Sequence, residues 1–110
     1  MLVGVEATRS SVVLLPSVKS VPAIRDNTAL SRFELDDGGV TVVLNYRLAG
    51  DALTLTHTET PVAVRGRGLA SRLVEAVLRQ ARERGLKVVP RCAFVSAYLE
   101  KHPEFRDLVA

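Results

Sequence analysis

The chain has 110 residues, of which 47% are hydrophobic and 25% are charged, and its formal net charge is +3. This length fits one domain with a modest core, and no apolar run approaches the ~18–20 residues that span a bilayer, so no membrane segment is expected. A single cysteine excludes an intrachain disulfide and an all-cysteine zinc site, and it favours a reducing, cytoplasmic setting with no metal.

Residues 1–23 are predicted to be a flexible extension ahead of one domain at residues 24–110. Residues 12–15 have the composition of a short strand, but Pro16 and Pro22 interrupt the stretch. Its order of charged and apolar residues is not that of a secretory signal. The basic residues and serines leave a mitochondrial-type presequence open, and an upstream translation start is a further alternative.

Residues 31–60 are predicted to form three strands joined by two tight turns. Arg32-Phe33-Glu34-Leu35 alternates between polar and apolar residues, and the following Asp36-Asp37-Gly38-Gly39 is typical of a hairpin turn. A second turn at Ala49-Gly50-Asp51 separates the next two strands, which makes an antiparallel meander. The predicted strands cover residues 32–35, 40–48 and 52–60.

A one-sided helix is predicted after this meander, because apolar residues recur there at intervals of three and four. Gly85 ends the helix, and an extended run at residues 86–92 predicts a fourth strand, parallel to the third because a helical crossover joins the two. A second helix at residues 95–101 ends before Pro103, which completes a mixed α+β fold. The apolar stripe of the first helix consists of Leu69, Ala70, Leu73, Val74, Val77, Leu78 and Ala81.

The loop at residues 65–71, which opens the first helix, carries the main functional signal. Glycine lets a backbone approach a ligand closely, and the first helical turn has unpaired N–H groups that together hold an anion, typically a phosphate. Residues 65–92 carry eight basic and two acidic side chains, whereas residues 24–64 carry three basic and six acidic ones. The sequence therefore predicts a phosphate-bearing ligand on this loop, although the spacing of a dinucleotide fingerprint is absent.

Arg65-Gly66-Arg67-Gly68-Leu69-Ala70 matches the Arg/Gln-x-x-Gly-x-Gly/Ala loop of the GNAT acetyltransferase superfamily. From about residue 26 to 109 the chain resembles the small, minimal GNAT-like proteins. Two departures are Ala93, where these proteins usually carry proline, and Thr60, where an aliphatic residue is usual. The other shared features are Arg32-Phe33-Glu34-Leu35, Asp37-Gly38, His57-Thr58-Glu59, Gly85-Leu86-Lys87-Val88-Val89-Pro90, Cys92, and Tyr98 through His102-Pro103-Glu104-Phe105.

The resemblance implies a GNAT-like fold and an acetyl-CoA-dependent N-acetyltransferase. The N–H groups of residues 66–70 would face the pyrophosphate of acetyl-CoA, Ser71 would add a hydroxyl, and Arg65 and Arg67 would supply charge. Pantetheine would pair beside residues 59–62, where a backbone N–H polarises the thioester carbonyl. The predicted CoA-binding residues are Thr60, Val62, Arg65, Gly66, Arg67, Gly68, Leu69, Ala70, Ser71, Tyr98 and Lys101, with Lys101 and His102 directed to the 3′-phosphate.

Cys92, His57 and Glu59 are the candidate catalytic residues. Cys92 ends the fourth strand, where in larger GNAT enzymes a pair of strands splays apart around the thioester. Its thiol would protonate the departing thiolate, accept the acetyl group, or only fill the core. His57 alternates in phase with Leu53, Leu55 and Glu59, so it is either a general base or a half-buried sheet residue. Glu59 would act through a water or form an ion pair at the sheet edge.

Three aromatic residues near the end of the chain are interpreted mainly as packing residues. Tyr98 invites comparison with the GNAT tyrosine that protonates the leaving thiolate. The larger family's Tyr-Glu-Lys pattern, however, aligns with Leu99-Glu100-Lys101, which places Tyr98 one position early. Packing in the core or against the ligand is therefore an equal alternative for Tyr98. Phe94 and Phe105 are expected in the core.

The predicted function is acetyl transfer from acetyl-CoA to an amine of unknown identity. The alternative is a CoA- or acyl-CoA-binding module without catalysis, because no strands that shape an acceptor pocket follow Phe105. Nucleic-acid binding is disfavoured, since aromatic residues are only 5% of the chain and Glu75 and Glu83 interrupt the basic helix. The outer strands could present free edges, so a monomer and a weak homodimer both remain open.

Overall fold

The computed structural model describes residues 24–110, and the predicted extension at residues 1–23 lies outside the described residues. Five strands form one sheet in the order β1-β2-β3-β4-β5. The strands are β1 Ile24–Asn27, β2 Arg32–Asp37, β3 Val40–Ala49, β4 Ala52–Glu59 and β5 Lys87–Pro90. The α-helices are α1 Leu69–Glu83 and α2 Ala93–Lys101, and the 3₁₀ segments are Val62–Val64 and Pro103–Leu108.

The sheet is mixed, as the sequence predicts. Strands β1 to β4 pair antiparallel in succession, whereas β5 lies parallel to β4 after the crossover through α1. The first strand is absent from the sequence-based prediction, because Ile24-Arg25-Asp26-Asn27 contains a single apolar residue and shows no alternation. The antiparallel portion of the sheet therefore has four strands, not the three expected.

The core lies between α1 and one face of the sheet. Leu73, Val74, Val77 and Leu78 of α1 are at most 1% exposed, which confirms the predicted apolar stripe. Full burial of such a side chain contributes roughly 1.5–3 kcal/mol. The buried sheet residues facing α1 are Phe33, Leu35, Val42, Leu44, Leu53, Leu55 and Val88.

An irregularity in β4 divides the strand into two segments with opposite alternation. Leu55 lies opposite Tyr46, but the next pair along the ladder is His57 with Asn45, which leaves Thr56 as an extra residue. A bulge of this kind shifts the alternation of side chains by one position. Every residue of β4 after Thr56 therefore faces the side opposite to the one that simple alternation predicts.

The bulge moves His57 and Glu59 out of phase with the buried leucines. Thr58 lies opposite Leu44, which is fully buried on the helix-covered face. His57 and Glu59 lie on the other face and are exposed. The predicted phase of His57 with Leu53 is thus wrong, because the sequence carries no sign of the extra residue.

The end of the described chain packs along β5. Val109 forms a parallel bridge with Val88, and the N–H of Ala110 donates to the Val88 carbonyl at 2.9 Å. Two cations hold the preceding 3₁₀ segment at Asp107. Arg82 donates to the Asp107 carboxylate at 2.5 Å, and Lys87 donates to the Asp107 backbone carbonyl at 3.1 Å. The outer edge of β5 is therefore covered at Val88, whereas the sequence alone leaves it free.

Candidate functional site

The loop between β4 and α1 exposes consecutive backbone amides. Gly66 and Gly68 have φ angles of 85° and 73°, in the left-handed region that favours glycine. The helical hydrogen bonds begin with the N–H of Arg72, which donates to the Gly68 carbonyl at 3.1 Å. The N–H groups of residues 68–71 donate to no other residue in the described portion of the chain. Four amides therefore remain available to a ligand at the helix N-terminus.

A cleft of about 290 Å³, here called the loop cleft, lies over these amides. Seven of the eleven predicted CoA-binding residues line it, and the structure adds two that the sequence reasoning missed, Val64 and Phe94. The seven predicted residues are Thr60, Arg65, Gly66, Gly68, Leu69, Ala70 and Ser71.

A second cavity of about 130 Å³, here called the α2 pocket, adjoins the loop cleft. Ser71 and Phe94 line both spaces. The remaining walls come from α2 and the residue after it, and they include two further predicted residues, Tyr98 and Lys101. The loop cleft and the α2 pocket therefore lie side by side, with Ser71 and Phe94 between them.

The two loop arginines occupy different positions. Arg65 lines the loop cleft, and its Nε donates to the Thr60 carbonyl at 2.9 Å, which fastens the loop to the end of β4. Arg67 lines neither space and forms an exposed ion pair with Asp37, the last residue of β2, at 3.5 Å. Such a pair contributes little to stability. Val62, the other predicted residue outside both spaces, is 76% exposed.

Cys92 lies just beyond the point where β4 and β5 stop pairing. The last hydrogen bond between these segments runs from the N–H of Arg91 to the Leu55 carbonyl, at 2.9 Å. The sulfur of Cys92 is then 3.2 Å from the hydroxyl of Thr58 on β4. Cys92 is 9% exposed and is the N-cap residue of α2.

The surroundings of Cys92 lower the pKa of its thiol. Burial, the largest single influence, raises the pKa. The hydrogen bond with Thr58 and the backbone N–H groups of Val95 and Phe94 outweigh it, so the net pKa lies below the ordinary value. The sulfur makes no side-chain capping hydrogen bond to α2. The N–H groups therefore stabilise the thiolate as the positive end of the helix, without a fully formed hydrogen bond.

The structure does not bring the other two catalytic candidates into contact with Cys92. His57 and Glu59 project from the opposite face of β4, because Thr58 between them turns toward Cys92. Neither side chain makes a hydrogen bond or ion pair with another residue of the described range 24–110. Cys92 therefore lies on the helix-covered side of the end of β4, and His57 and Glu59 lie on the opposite side.

Tyr98 is a buried residue that lines the α2 pocket. Its ring stacks on that of His102, with centroids 4.0 Å apart and planes 18° apart. Burial raises the pKa of Tyr98, and the carboxylates of Glu75 and Glu104 raise it further against the opposing effect of Arg79. A hydroxyl so placed is a weaker acid than that of an exposed tyrosine.

The prediction for the two phenylalanines is half right. Phe105 is 1% exposed, as expected, and the guanidinium groups of Arg79 and Arg82 lie 5.7 and 5.3 Å from the centroid of its ring. Phe94, by contrast, is 39% exposed and stands between the loop cleft and the α2 pocket. Its place one residue before the buried Val95, at the margin of the apolar face of α2, is the only sequence signal of this role.

Two further classes of site are not found in residues 24–110. No group of three or more His, Cys, Asp or Glu side chains there is arranged to hold a metal ion. Within the same range, no helix is long and apolar enough to cross a membrane.

A mixed sheet whose parallel strands separate beside a glycine loop and helix N-terminus defines the class of GNAT-type acyltransferase folds. A family model described as GCN5-related N-acetyl-transferase matches residues 32–108, most of the chain. The chain belongs to this family, and the predicted family and fold class are confirmed.

Comparison with individual proteins gives the same family. Protein NATD1 from Gallus gallus and from Mus musculus is 39% identical over 62 residues, which is 56% of this chain and 56% of each relative. The match thus spans little more than half the length of these relatives. A GCN5-like protein from Staphylococcus aureus, solved in solution by NMR, aligns with a TM-score of 0.59 and 26% identity over 83% of this chain and 90% of its own.

Proposed function

We propose that this chain binds acetyl-CoA and transfers its acetyl group to an amine. The observation that carries the proposal is the set of four free backbone amides at residues 68–71 opening onto the loop cleft. Amides at a helix N-terminus stabilise a bound phosphate through hydrogen bonds and the helix dipole. The two phosphates of a pyrophosphate can use more of these donors than a single carboxylate can.

The pantetheine arm would run from the loop cleft toward the end of β4. Thr60 lines the cleft at that end, and Phe94 lines it two residues after Cys92. A ligand passing between Thr60 and Phe94 brings its thioester toward the gap where β4 and β5 separate. A backbone N–H in the segment after β4 would polarise the thioester carbonyl.

Cys92 is the proposed proton donor to the leaving group. The acceptor nitrogen attacks the thioester carbon, the carbon–sulfur bond breaks, and the CoA thiolate takes the proton of the Cys92 thiol. The proton that leaves the new amide then returns to Cys92 through solvent, so the thiol is regenerated. Its lowered pKa and its hydrogen bond with Thr58 suit this role. Attack on the thioester by Cys92 itself, giving an acetyl-cysteine, is the alternative chemistry.

The acceptor amine would approach from the face of the sheet that carries His57 and Glu59. Both side chains are exposed and free of intrachain bonds within the described residues, so either can take a proton from an incoming ammonium group. An exposed carboxylate or imidazole performs this step directly or through one water. The acceptor itself carries no signature in these residues.

A CoA-binding module without catalysis is the second candidate function. The observation that favours it is the same freedom of His57 and Glu59, since no neighbouring side chain in residues 24–110 orients either of them. Catalytic bases are generally held in place by a hydrogen-bonded partner. The Thr58–Cys92 contact supports the enzyme over the module, because it orients a group at the thioester end.

A binding titration followed by a transfer assay tests both candidates. Isothermal titration with CoA and acetyl-CoA should show one site per chain, whereas absence of binding at millimolar CoA contradicts both. Release of free CoA thiol is then followed with a panel of small amines, polyamines and lysine peptides. Acceptor-dependent thiol release supports the enzyme, and binding without release from any acceptor supports the module.

A further inference from the structure

We propose that the acceptor is a small amine that carries a carboxylate close to its nitrogen, and that Arg91 binds this carboxylate. The inference rests on the proposed function, and it adds the class of acceptor. His57 and Glu59 by themselves suit any amine, so the selection comes from the charge beside them.

Arg91 lies at the point where β4 and β5 separate, on the side from which the acceptor would approach. Its backbone N–H donates the last hydrogen bond between the two segments, to the Leu55 carbonyl at 2.9 Å. The next residue, Cys92, has extended backbone angles and contacts Thr58 on the helix-covered side. Because the side chains of an extended segment alternate in direction, Arg91 belongs to the opposite side, and it is exposed there. The buried Val88, three residues earlier, agrees with this alternation.

The strand register brings Arg91 next to His57. The parallel pairing of β4 with β5 ends at Leu55 and Pro90. One further step along both strands sets Arg91 beside Thr56, and His57 follows Thr56 directly. Adjacent strands lie about 4.8 Å apart. Arg91 and His57 therefore belong to neighbouring strands on one face of the sheet, beside the gap.

The guanidinium of Arg91 is available to a ligand. It makes no ion pair or side-chain hydrogen bond with any residue between 24 and 110. The carboxylates that β2 places on the same face are held by another cation, since both Glu34 and Asp36 pair with Arg25. A guanidinium binds a carboxylate through two parallel N–H donors, which is a strong form of charge-assisted hydrogen bond. Arg91 can therefore offer its full charge to an incoming carboxylate.

Glu59 supplies the complementary charge for the amine. It lies on the same face as Arg91 and forms no ion pair within the described residues. An amino acid, which carries both charges, therefore finds a cation for its carboxylate and an anion for its ammonium group. A polyamine or a lysine side chain carries positive charge alone, so Arg91 repels it.

The carboxylate of the acceptor takes no part in the chemistry. The bound ammonium group gives a proton to Glu59 or His57, and the neutral nitrogen attacks the thioester carbon as in the proposed function. In an α-amino acid a single carbon separates the nitrogen from the carboxylate, so a carboxylate bound at Arg91 holds the nitrogen at the gap. Arg91 thus selects and positions the acceptor without exchanging a proton.

Matched pairs of acceptors test the inference with the full chain. Release of CoA thiol from acetyl-CoA is measured with glycine, leucine and glutamate, with the α-carboxamide of each, and with spermidine. In every pair that reacts, we expect the wild-type kcat/KM to be at least about tenfold higher for the acid than for its amide, the scale of one charge-assisted contact. The amides have the less basic nitrogen and so more neutral amine near pH 7. A preference for the acids therefore cannot arise from amine basicity.

Two variants locate the selection. Arg91→Gln should raise the KM of the acids about tenfold, leave the KM of the amides unchanged, and leave the affinity for CoA unchanged. Arg47→Gln is the matched control, because Arg47 is an exposed cation on the same face. Its partner Thr54 belongs to the part of β4 that is still paired with β5, away from the gap. Arg47→Gln should leave the ratio of acid to amide as in the wild type.

Equal kcat/KM for acids and amides in the wild type overturns the inference and leaves the proposed function standing, as does a faster reaction of spermidine than of any acid. An equal loss in Arg91→Gln and Arg47→Gln overturns the assignment to Arg91. CoA binding without thiol release from any of these acceptors contradicts the inference and supports the binding module. Absence of CoA binding defeats the proposed function itself. The wild-type comparison needs no variant, so it decides the matter even where a variant is poorly folded.

Discussion

The sulfur of Cys92 and the hydroxyl of Thr58 lie 3.2 Å apart, and this contact joins the end of β4 to the N-cap residue of α2. It exists because the extra residue Thr56 turns Thr58, and not His57, toward the helix-covered face. One bulge therefore turns Thr58 toward the Cys92 thiol on one side of β4 and turns the side chains of His57 and Glu59 to the other side.

Replacement of Thr58 by valine should raise the pKa of the Cys92 thiol. The substitution removes the hydrogen bond that lowers this pKa and keeps the burial that raises it. The rate of alkylation of Cys92 by iodoacetamide, followed against pH, should reach its midpoint at higher pH in the variant. Thr54→Val, on the same strand before the bulge, is the control and should leave the profile unchanged.

The same thiol can be tested in the reaction. Cys92→Ser should leave the affinity for CoA within about twofold and lower the turnover at least ~10²-fold, the scale of one general acid. Turnover equal to that of the wild type would show that Cys92 only packs beside the ligand. Acetylation of Cys92 detected by mass spectrometry would instead favour the covalent alternative.

Replacement of Gly68 by alanine should abolish CoA binding without unfolding the protein. A Cβ at Gly68 meets no atom within 4 Å and so projects into open space at the cleft, where the phosphates are proposed to bind. The left-handed conformation costs an alanine about 1–2 kcal/mol.

Gly50→Ala is the matched control for that experiment. Gly50 has a φ of 61°, and an added Cβ there also meets nothing within 4 Å. It lies in the β3–β4 turn and lines neither the loop cleft nor the α2 pocket. Both variants should lose a similar free energy of unfolding, but only Gly68→Ala should fail to bind CoA. Equal CoA affinity in the two variants would show that the loop at residues 65–71 does not bind the phosphates of CoA.

The sequence predicts those features of this molecule that depend on local pattern. Helix α1 is recovered because Leu73, Val77 and their neighbours repeat at helical intervals along one buried face. The loop is recovered because Gly66 and Gly68 supply left-handed conformations that few other residues tolerate. Both features are encoded within a few consecutive residues.

The features that the sequence does not reveal depend on neighbours distant along the chain. Strand β1 has almost no apolar pattern and is defined by pairing with β2. The bulge at Thr56 is visible only in the register against β3, so the side chosen for His57 was not predictable. Phe94 is apolar, and only the position of α2 beside the loop decides that it is exposed.

Strand β1 is held to β2 by charged groups around Glu34, so the stability of the fold should fall in acid. The carboxylate of Glu34 is 3% exposed and lies 2.7 Å from Arg25, 2.6 Å from Arg32 and 3.1 Å from the amide of Asn27. The hydrogen bond from Arg32 and then that from Asn27 lower the pKa of Glu34 below its ordinary value of 4.5, against the effect of burial. Because the folded state depresses this pKa, the contribution is complete above about pH 5 and is lost as the pH falls through the folded value.

Thermal unfolding of Glu34→Gln against pH measures this contribution. The variant should be less stable than the wild type near pH 7, and the difference should shrink as the pH falls below 4.5. Glu83→Gln, an exposed position at the end of α1, is the control and should follow the wild type. Parallel curves for the wild type and Glu34→Gln would show that Glu34 carries no pH-dependent stability.

Tyr46 should make the fold sensitive to alkaline pH. Its hydroxyl donates to Asp26 of β1 at 2.7 Å, and burial together with this hydrogen bond raises the pKa of Tyr46 to about 12. Because the folded state favours the protonated phenol, this stabilisation is present below the unfolded pKa of about 10 and is lost as the pH rises toward 12. Tyr46→Phe should lower the free energy of unfolding at neutral pH by about 0.5–1.5 kcal/mol, the net contribution of one hydrogen bond. Chemical denaturation between pH 7 and 11 should show that the free energy of unfolding falls more steeply with pH in the wild type than in Tyr46→Phe. Equal slopes would show that Tyr46 does not cause the alkaline loss of stability.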